Sequence, residues 1–187
     1  MTRIAAVSGS RSADSTTRAA LRVALDAAAD AGAETDLIDL AAVDLPLYHP
    51  DEDAQGDSEA LKRRVREADG VLAGTPVYRG SYSSTFKNFH DFCGSDEYAN
   101  TAVGLLATAG GGSYGGTLEH LRSTFRNVHA WTVPHEVGIQ GASSKVETGA
   151  GEDAGDVGGP RITDADLRRR TERLGRVVVE HAERMRE

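Results

Sequence analysis

The chain has 187 residues, 39% of them hydrophobic and 5% aromatic, enough for one domain with a real core and no need of disulfide or metal staples. Acids exceed bases by 29 to 21, a formal charge of −8, and the short basic run Arg168 to Arg170 sits among acids, so nucleic acid is not an expected partner. No apolar run approaches the roughly 18 residues of a membrane span, the stretch from Ile4 is too short for a signal-peptide core, and a lone cysteine, Cys93, fits a reducing compartment; a cytoplasmic protein without a membrane partner is expected.

Taken in order, Arg3 to Ser8 reads as a buried strand, followed by a Gly/Ser segment and a helix marked by Leu21, Ala24, Leu25 and Ala28. Glu34 to Leu40 is a second strand, and the stretch from Leu45 through the acidic residues to Asp57 reads as an exposed loop. Leu61, Val65 and Ala68 mark a helix face, Gly70 to Gly74 a strand ending at Thr75-Pro76, and Phe86, Phe89 and Cys93 another helix face. Ala102 to Thr108 is a strong apolar strand, Leu118, Leu121 and Phe125 mark a helix, and Trp131 to Ile139 is a fifth strand. Residues 141–160 lack periodicity and read as an exposed loop or flap, after which Thr163 with Asp166 has capping-box spacing for a last helix that buries Leu167, Leu174, Val178 and Met185. Five short strands alternating with helices predict a single doubly wound α/β domain over 1–187, its parallel sheet covered on both faces.

In such a sheet ligands bind beyond the carboxyl ends of the strands, near the topological switch point, so the loops after strands one, three and four are the candidate site. The first, Ser8 to Thr17, carries small hydroxylated residues into a helix start, where unpaired amides and a partial positive charge suit a phosphate, with Arg11 as an added charge. An ordinary capped helix reads the same way, and the loop has neither the triphosphatase nor the dinucleotide glycine pattern, which leaves a monophosphate. The third loop after a strand, Thr108 to Gly116, has the glycines that let a flat ring approach the backbone, with Tyr114 placed to cover a ring or a substrate.

The segment from Pro76 to Asp91 resembles the P-x-Y-x-x-S-x-x-x-x-[LF]-K-N-x-x-D pattern of the NAD(P)H-dependent FMN reductases, through Pro76, Tyr78, Ser81, Phe86, Lys87, Asn88 and Asp91. The first loop is similar to that family's G-S-x-x-x-x-S-x-[TN] loop, through Gly9, Ser10, Ser15 and Thr17, and the resemblance spans roughly residues 3 to 140. It implies a flavodoxin-like fold with sheet order 2-1-3-4-5, and FMN as cofactor with its phosphate on Ser10, Ser15 and Thr17 together with backbone amides; Arg11 and Thr16 of the same loop are expected to join them. It further implies that Pro76, Val77, Tyr78 and Arg79 lie against the isoalloxazine, with Gly110, Gly111, Gly112 and Tyr114 completing the ring site. A rigid turn after Pro76 is expected to aim backbone N–H groups at the flavin edge. Lys87 and Asp91, four apart, are expected to pair on one helix face. Val77 departs from the Glu or Gln common in relatives, which bears on substrate preference.

The implied reaction is ping-pong: hydride from NADPH or NADH to flavin N5, then electrons to a small acceptor such as a flavin, a quinone or an azo compound. No catalytic side chain and no metal are needed, and a homodimer or homotetramer is expected. Two other readings stand beside this one. An FMN-binding electron carrier without a dedicated substrate would share the site. A serine hydrolase would use Ser113 in Gly111-Gly112-Ser113-Tyr114-Gly115, which fits G-x-S-x-G, with one of Asp153, Asp156, Asp164 or Asp166 and then His181.

Overall fold

The computed structural model describes residues 1–53, 55–149 and 159–186. Its five-stranded sheet consists of β1 (Arg3–Ser8), β2 (Glu34–Asp39), β3 (Gly70–Pro76), β4 (Ala102–Ala109) and β5 (Trp131–Gln140), all parallel and in the order β2-β1-β3-β4-β5. This is the flavodoxin-like order, and each strand lies within a residue or two of its predicted place. The central strands β3 and β4 are buried along their whole length, whereas β5 at the edge is only partly so. Pro134 sits exposed in β5, where a missing N–H removes no ladder bond, and the β4–β5 register shifts between Val103 and Leu105.

Alternation along the strands sends side chains into two cores. On one face Ile4, Ala6, Leu72 and Leu106 pack under α1 (Thr16–Asp30) and the last helix, through Leu21, Ala24, Leu174 and Val178. On the other, Val7, Val71, Ala73 and Leu105 pack under α2 (Ser58–Arg66), α3 (Ser84–Phe92) and α5 (Gly115–Asn127), through Leu61, Phe86, Phe89, Leu121 and Phe125. Each fully buried Leu or Phe contributes about 1.5–3 kcal/mol by leaving water, so the two faces fix the strand ends that carry the loops.

Three local features differ from expectation. A one-turn helix, α4 (Ser95–Tyr98), follows α3; its Glu97 accepts from the Gly94 amide at 2.8 Å and pairs with Arg66 at 2.5 Å, and Tyr98 is fully buried against Phe125. Within 141–160, residues 142–147 are not loop: α6 (Ala142–Lys145) leads into β6 (Val146–Glu147), which pairs antiparallel with β7 (Arg161–Ile162), and Ala142, Val146 and Ile162 join the α1-side core. Residues 150–158 of that stretch lie outside the described residues. Finally, α7 (Ala165–Arg186) is capped by Asp164, whose carboxylate accepts from the Leu167 amide at 3.0 Å. Thr163 instead donates to the Lys145 carbonyl at 3.1 Å and Asp166 pairs with Arg169, so the expected Thr163/Asp166 box does not form. The reason is register: Asp164 immediately precedes the first helical residue and reaches the third amide.

Candidate functional site

The chain leaves β1 to one side for β2 and returns to the other side for β3, so the carboxyl ends of β1 and β3 form the switch point. The loops there are pinned together. The Gly9 amide donates to the Gly74 carbonyl at 2.8 Å, Ser83 Oγ donates to the Gly9 carbonyl at 2.6 Å, and the Ser83 amide donates to Thr75 Oγ1 at 2.9 Å. A Cβ at Gly9 would lie 2.7 Å from Phe86 Cβ, so only glycine lets α3 come this close. Ser83 also caps α3 by accepting from the Phe86 amide, which leaves its hydroxyl fully used.

Above this joint a cleft of about 270 Å³ is lined by Ser10, Ser12, Asp14, Ser15, Thr16 and Thr17 from the first loop and α1, by Pro76, Val77 and Tyr78 after β3, by Thr108, Ala109 and Gly110 after β4, and by Ala142 and Ser143. Four of the hydroxyls are bonded within the protein. Ser10 Oγ accepts from the Ser12 amide at 3.3 Å, and Ser15 Oγ, the N-cap of α1, accepts from the Arg18 amide at 3.0 Å. Thr17 Oγ1 and Thr108 Oγ1 share a bond of 2.5 Å. In each case the oxygen is used internally and one hydroxyl proton remains for an outside acceptor. Ser10, Ser15 and Thr17 are nonetheless buried, at 3%, 2% and 1% exposure. Among the described residues the amides of Ala13, Asp14, Thr16 and Thr17 have no protein acceptor. No basic side chain lines the cleft among the described residues; Arg11, expected to supply a charge here, lines a separate pocket with Leu40, Leu45 and Leu47. Hydroxyl protons, free amides and the positive end of α1 are the donor set that a phosphate takes.

After β3, Tyr78 and Ser81 close a tight turn, with Tyr78 N–H to Ser81 O at 2.9 Å and Ser81 N–H to Tyr78 O at 3.1 Å. Its central residues, Arg79 and Gly80, have φ of 53° and 80°, as the mirror-image hairpin turn requires. The Val77 amide is held by the Thr108 carbonyl at 2.8 Å. The amides of Val77 and Tyr78, expected to face the flavin edge, are therefore engaged within the protein; among the described residues the Arg79 amide is the one from 77 to 79 left without an acceptor. Pro76 and Val77 give the cleft an apolar wall, and Tyr78 stands 57% exposed at its mouth.

The β4 loop is more loosely placed. Gly110 reaches the cleft and its carbonyl accepts from the Gly141 amide at 2.8 Å, while Gly111 and Gly112 are exposed and outside the lining. Tyr114 does not cover the cleft: its ring lies on Gly138 of β5, where a Cβ would meet it at 2.0 Å, and it borders a different pocket with Lys145 and Arg170. Ser12, Asp14, Thr108, Ala109, Ala142 and Ser143 line the cleft without having been expected. Thr108 was readable as the last residue of a strand, where side chains reach a ligand; nothing in the sequence points to Ala142 or Ser143.

The hydrolase arrangement does not assemble among the described residues. Ser113 Oγ accepts from the Gly115 amide at 3.4 Å, His181 Nδ1 lies 2.9 Å from the Val177 carbonyl within α7, and Asp164 caps that helix. Asp153 and Asp156 lie outside the described residues. Cys93 is buried and burial pushes its thiol up to about 12, so it stays protonated at neutral pH. Lys87 and Asp91 form the expected pair on α3.

The profile of the NADPH-dependent FMN reductases matches residues 2–144, about three-quarters of the chain. The chain belongs to that family. It is an oxidoreductase that uses FMN and takes its electrons from NAD(P)H. It is 40% identical over 126 residues to an NADPH azoreductase of Bacillus sp. (strain OY1-2), covering 65% of this chain and 69% of that protein. It is also 35% identical over 86 residues to an FMN-dependent NADPH-azoreductase of Staphylococcus saprophyticus, where the match spans 46% of each. In fold it is similar to the flavoenzyme NAD(P)H:(acceptor) oxidoreductase FerB from Paracoccus denitrificans, with a TM-score of 0.74 over 98% of both chains at 22% identity. No helix among the described residues is long and apolar enough to cross a membrane.

Proposed function

We propose that the cleft at the β1–β3 switch point holds FMN, with Ser10, Ser15, Thr16 and Thr17 on the phosphate and the wall of Pro76, Val77 and Tyr78 against the ring. What carries this reading is the shared arrangement of Ser10, Ser15 and the Thr17–Thr108 pair, each oxygen internally bonded and each leaving a proton to give. Bound there, FMN supplies the redox chemistry, accepting hydride from the reduced nicotinamide and passing electrons to the acceptor. The protein's part is to grip the phosphate without a cation, to keep the buried side of the ring dry with Pro76 and Val77, and to present the free Arg79 amide toward the ring edge. Gly110 leaves the backbone low beneath the ring. The exposed mouth at Tyr78 is where nicotinamide and acceptor would take turns, and Arg79, next to it in the chain and outside the cleft lining, is the cation nearest to it in sequence.

The acceptor is a flat, small, reducible molecule: a flavin, a quinone or an azo compound, the last in keeping with the names of the Bacillus and Staphylococcus relatives. We further propose that the chain works as a single domain, in the cytoplasm, as a homodimer or homotetramer. The test is to load the full chain with FMN, record its visible spectrum and add NADPH or NADH without oxygen. The expected result is a bound flavin spectrum that bleaches. Absence of bound flavin at saturating FMN would overturn the cofactor site, and bound flavin that neither nucleotide bleaches would favour an electron carrier.

A further inference from the structure

We infer that Arg18 is a positioning residue that aims the phosphate-binding amides of the first loop, acting through geometry rather than charge. This rests on the placement of the FMN phosphate proposed above. Arg18 lies in the first turn of α1, and its guanidinium turns away from the cleft toward the loop's carbonyls: Nη1 is 3.5 Å from the Ser12 carbonyl and Nη2 bonds the Ala13 carbonyl. Nη1 also pairs with Asp39 Oδ2 at 3.0 Å, at the end of β2, and the other Asp39 oxygen accepts from the Ala41 amide at 3.1 Å.

A trans peptide is planar, with its C=O and N–H pointing in opposite directions. Holding the Ser12 and Ala13 carbonyls on Arg18 therefore turns the N–H groups of Ala13 and Asp14 the other way. These are two of the amides with no protein acceptor, and Ser12 and Asp14 border the cleft. Without the guanidinium the two peptides are free to rotate, and a carbonyl facing the phosphate would repel it. The charge itself is offset by Asp39 beside it, with both side chains about one-fifth exposed, so the pair presents little net potential. Arginine suits this role because one planar fork serves three acceptors, which a lysine ammonium cannot do in the same geometry.

The experiment titrates the full chain, freed of flavin, with FMN and with riboflavin, which lacks the phosphate, following quenching of flavin fluorescence. Arg18→Ala and Arg18→Lys should each weaken FMN by about tenfold, the equivalent of one to two lost amide bonds, and leave riboflavin unchanged. Asp39→Asn, which makes the loop more positive but releases the guanidinium, should also weaken FMN selectively. If Asp39→Asn tightens FMN, the arginine acts by charge and the inference falls. It falls too if FMN and riboflavin weaken together, since that is a general structural loss, or if Arg18→Lys binds FMN as the parent does. Ser10→Ala separates the two levels of the argument: a selective FMN loss there without one at Arg18 overturns the positioning role alone, while no selective loss at either overturns the phosphate site. Should Arg18→Ala fail to fold, Arg18→Lys and Asp39→Asn still decide the question.

Discussion

The loop after β1 and the loop after β4 look alike as sequence: each follows a buried parallel strand, leads into a helix and is rich in glycine and serine. In three dimensions they differ in how they are held. The first is buried at its hydroxyls and tied to β3 and α3, and its one glycine touches Phe86. The second is exposed, and Cβ atoms at Gly110, Gly111 or Gly112 would meet nothing within 4 Å. The glycine of the first loop is therefore required by the protein's own packing, although residues 11–14 of that loop are exposed, whereas the glycines of the second are free of it, so any need for them comes from what binds. A single glycine held between two elements thus marks a packed joint more firmly than a run of exposed glycines does.

That contrast can be broken by substitution. Gly9→Ala has the largest expected effect, because the new methyl meets Phe86 Cβ at 2.7 Å and Ser83 Oγ at 3.0 Å; overpacking of this kind costs about 1–3 kcal/mol, to be read as a lowered denaturation midpoint together with weakened FMN binding. A Gly9→Ala protein of parent stability would mean that the joint is looser than its distances suggest.

A second, smaller effect comes from acid. His90 on α3 is buried beside Phe86, Tyr98 and Phe125, and desolvation holds its imidazole below the usual 6.5. The unfolded chain takes up a proton as pH falls through about 6.5 while the folded chain does not, so stability is complete above that value and declines below it, down to the lowered folded pKa. Urea midpoints measured from pH 7.5 to 5.5 should decline, less steeply in His90→Gln. Because α3 supports the first loop, FMN release in acid should follow.

The smallest effect is expected at Gly111→Ala, where apo stability should stay within about 0.5 kcal/mol of the parent. An unchanged FMN affinity as well would separate the second loop from the ring, and a loss of FMN affinity at parent stability would place the ring against it.

Much of this was legible beforehand for identifiable reasons. β1, β3 and β4 are largely apolar runs of six to eight residues, β2 and β5 are mixed, and the helices carry periodic faces, so a parallel sheet covered on both sides follows from pattern while its strand order came from the resemblance. Ser10, Ser15 and Thr17 were singled out through the resemblance of the first loop to the G-S-x-x-x-x-S-x-[TN] pattern, since a capped helix start carries the same hydroxyls, and all three line the cleft. Local chemistry that depends on partners far away in the chain was not. Tyr114 lies on Gly138, Arg11 lines a pocket with Leu40 and Leu45, and the Val77 amide is taken by Thr108, all arrangements that no short window of sequence contains. Residues 142–147 escaped because their order comes from pairing with Arg161–Ile162 and from burial of Ala142 and Val146, not from periodicity.

The absence of lysine and arginine from the lining of the cleft, among the described residues, has a kinetic consequence for the proposed phosphate site. The chain carries a net charge of −8, and FMN arrives as an anion, so at long range the protein's field opposes the encounter that its short-range donors reward. Dissolved salt shortens the reach of that field to about 8 Å at physiological ionic strength, while the hydroxyl and amide bonds, made in contact, are little affected. On the proposed placement of the phosphate, FMN association should therefore be slow at low ionic strength and quicken as salt is added, with little change in the rate of release.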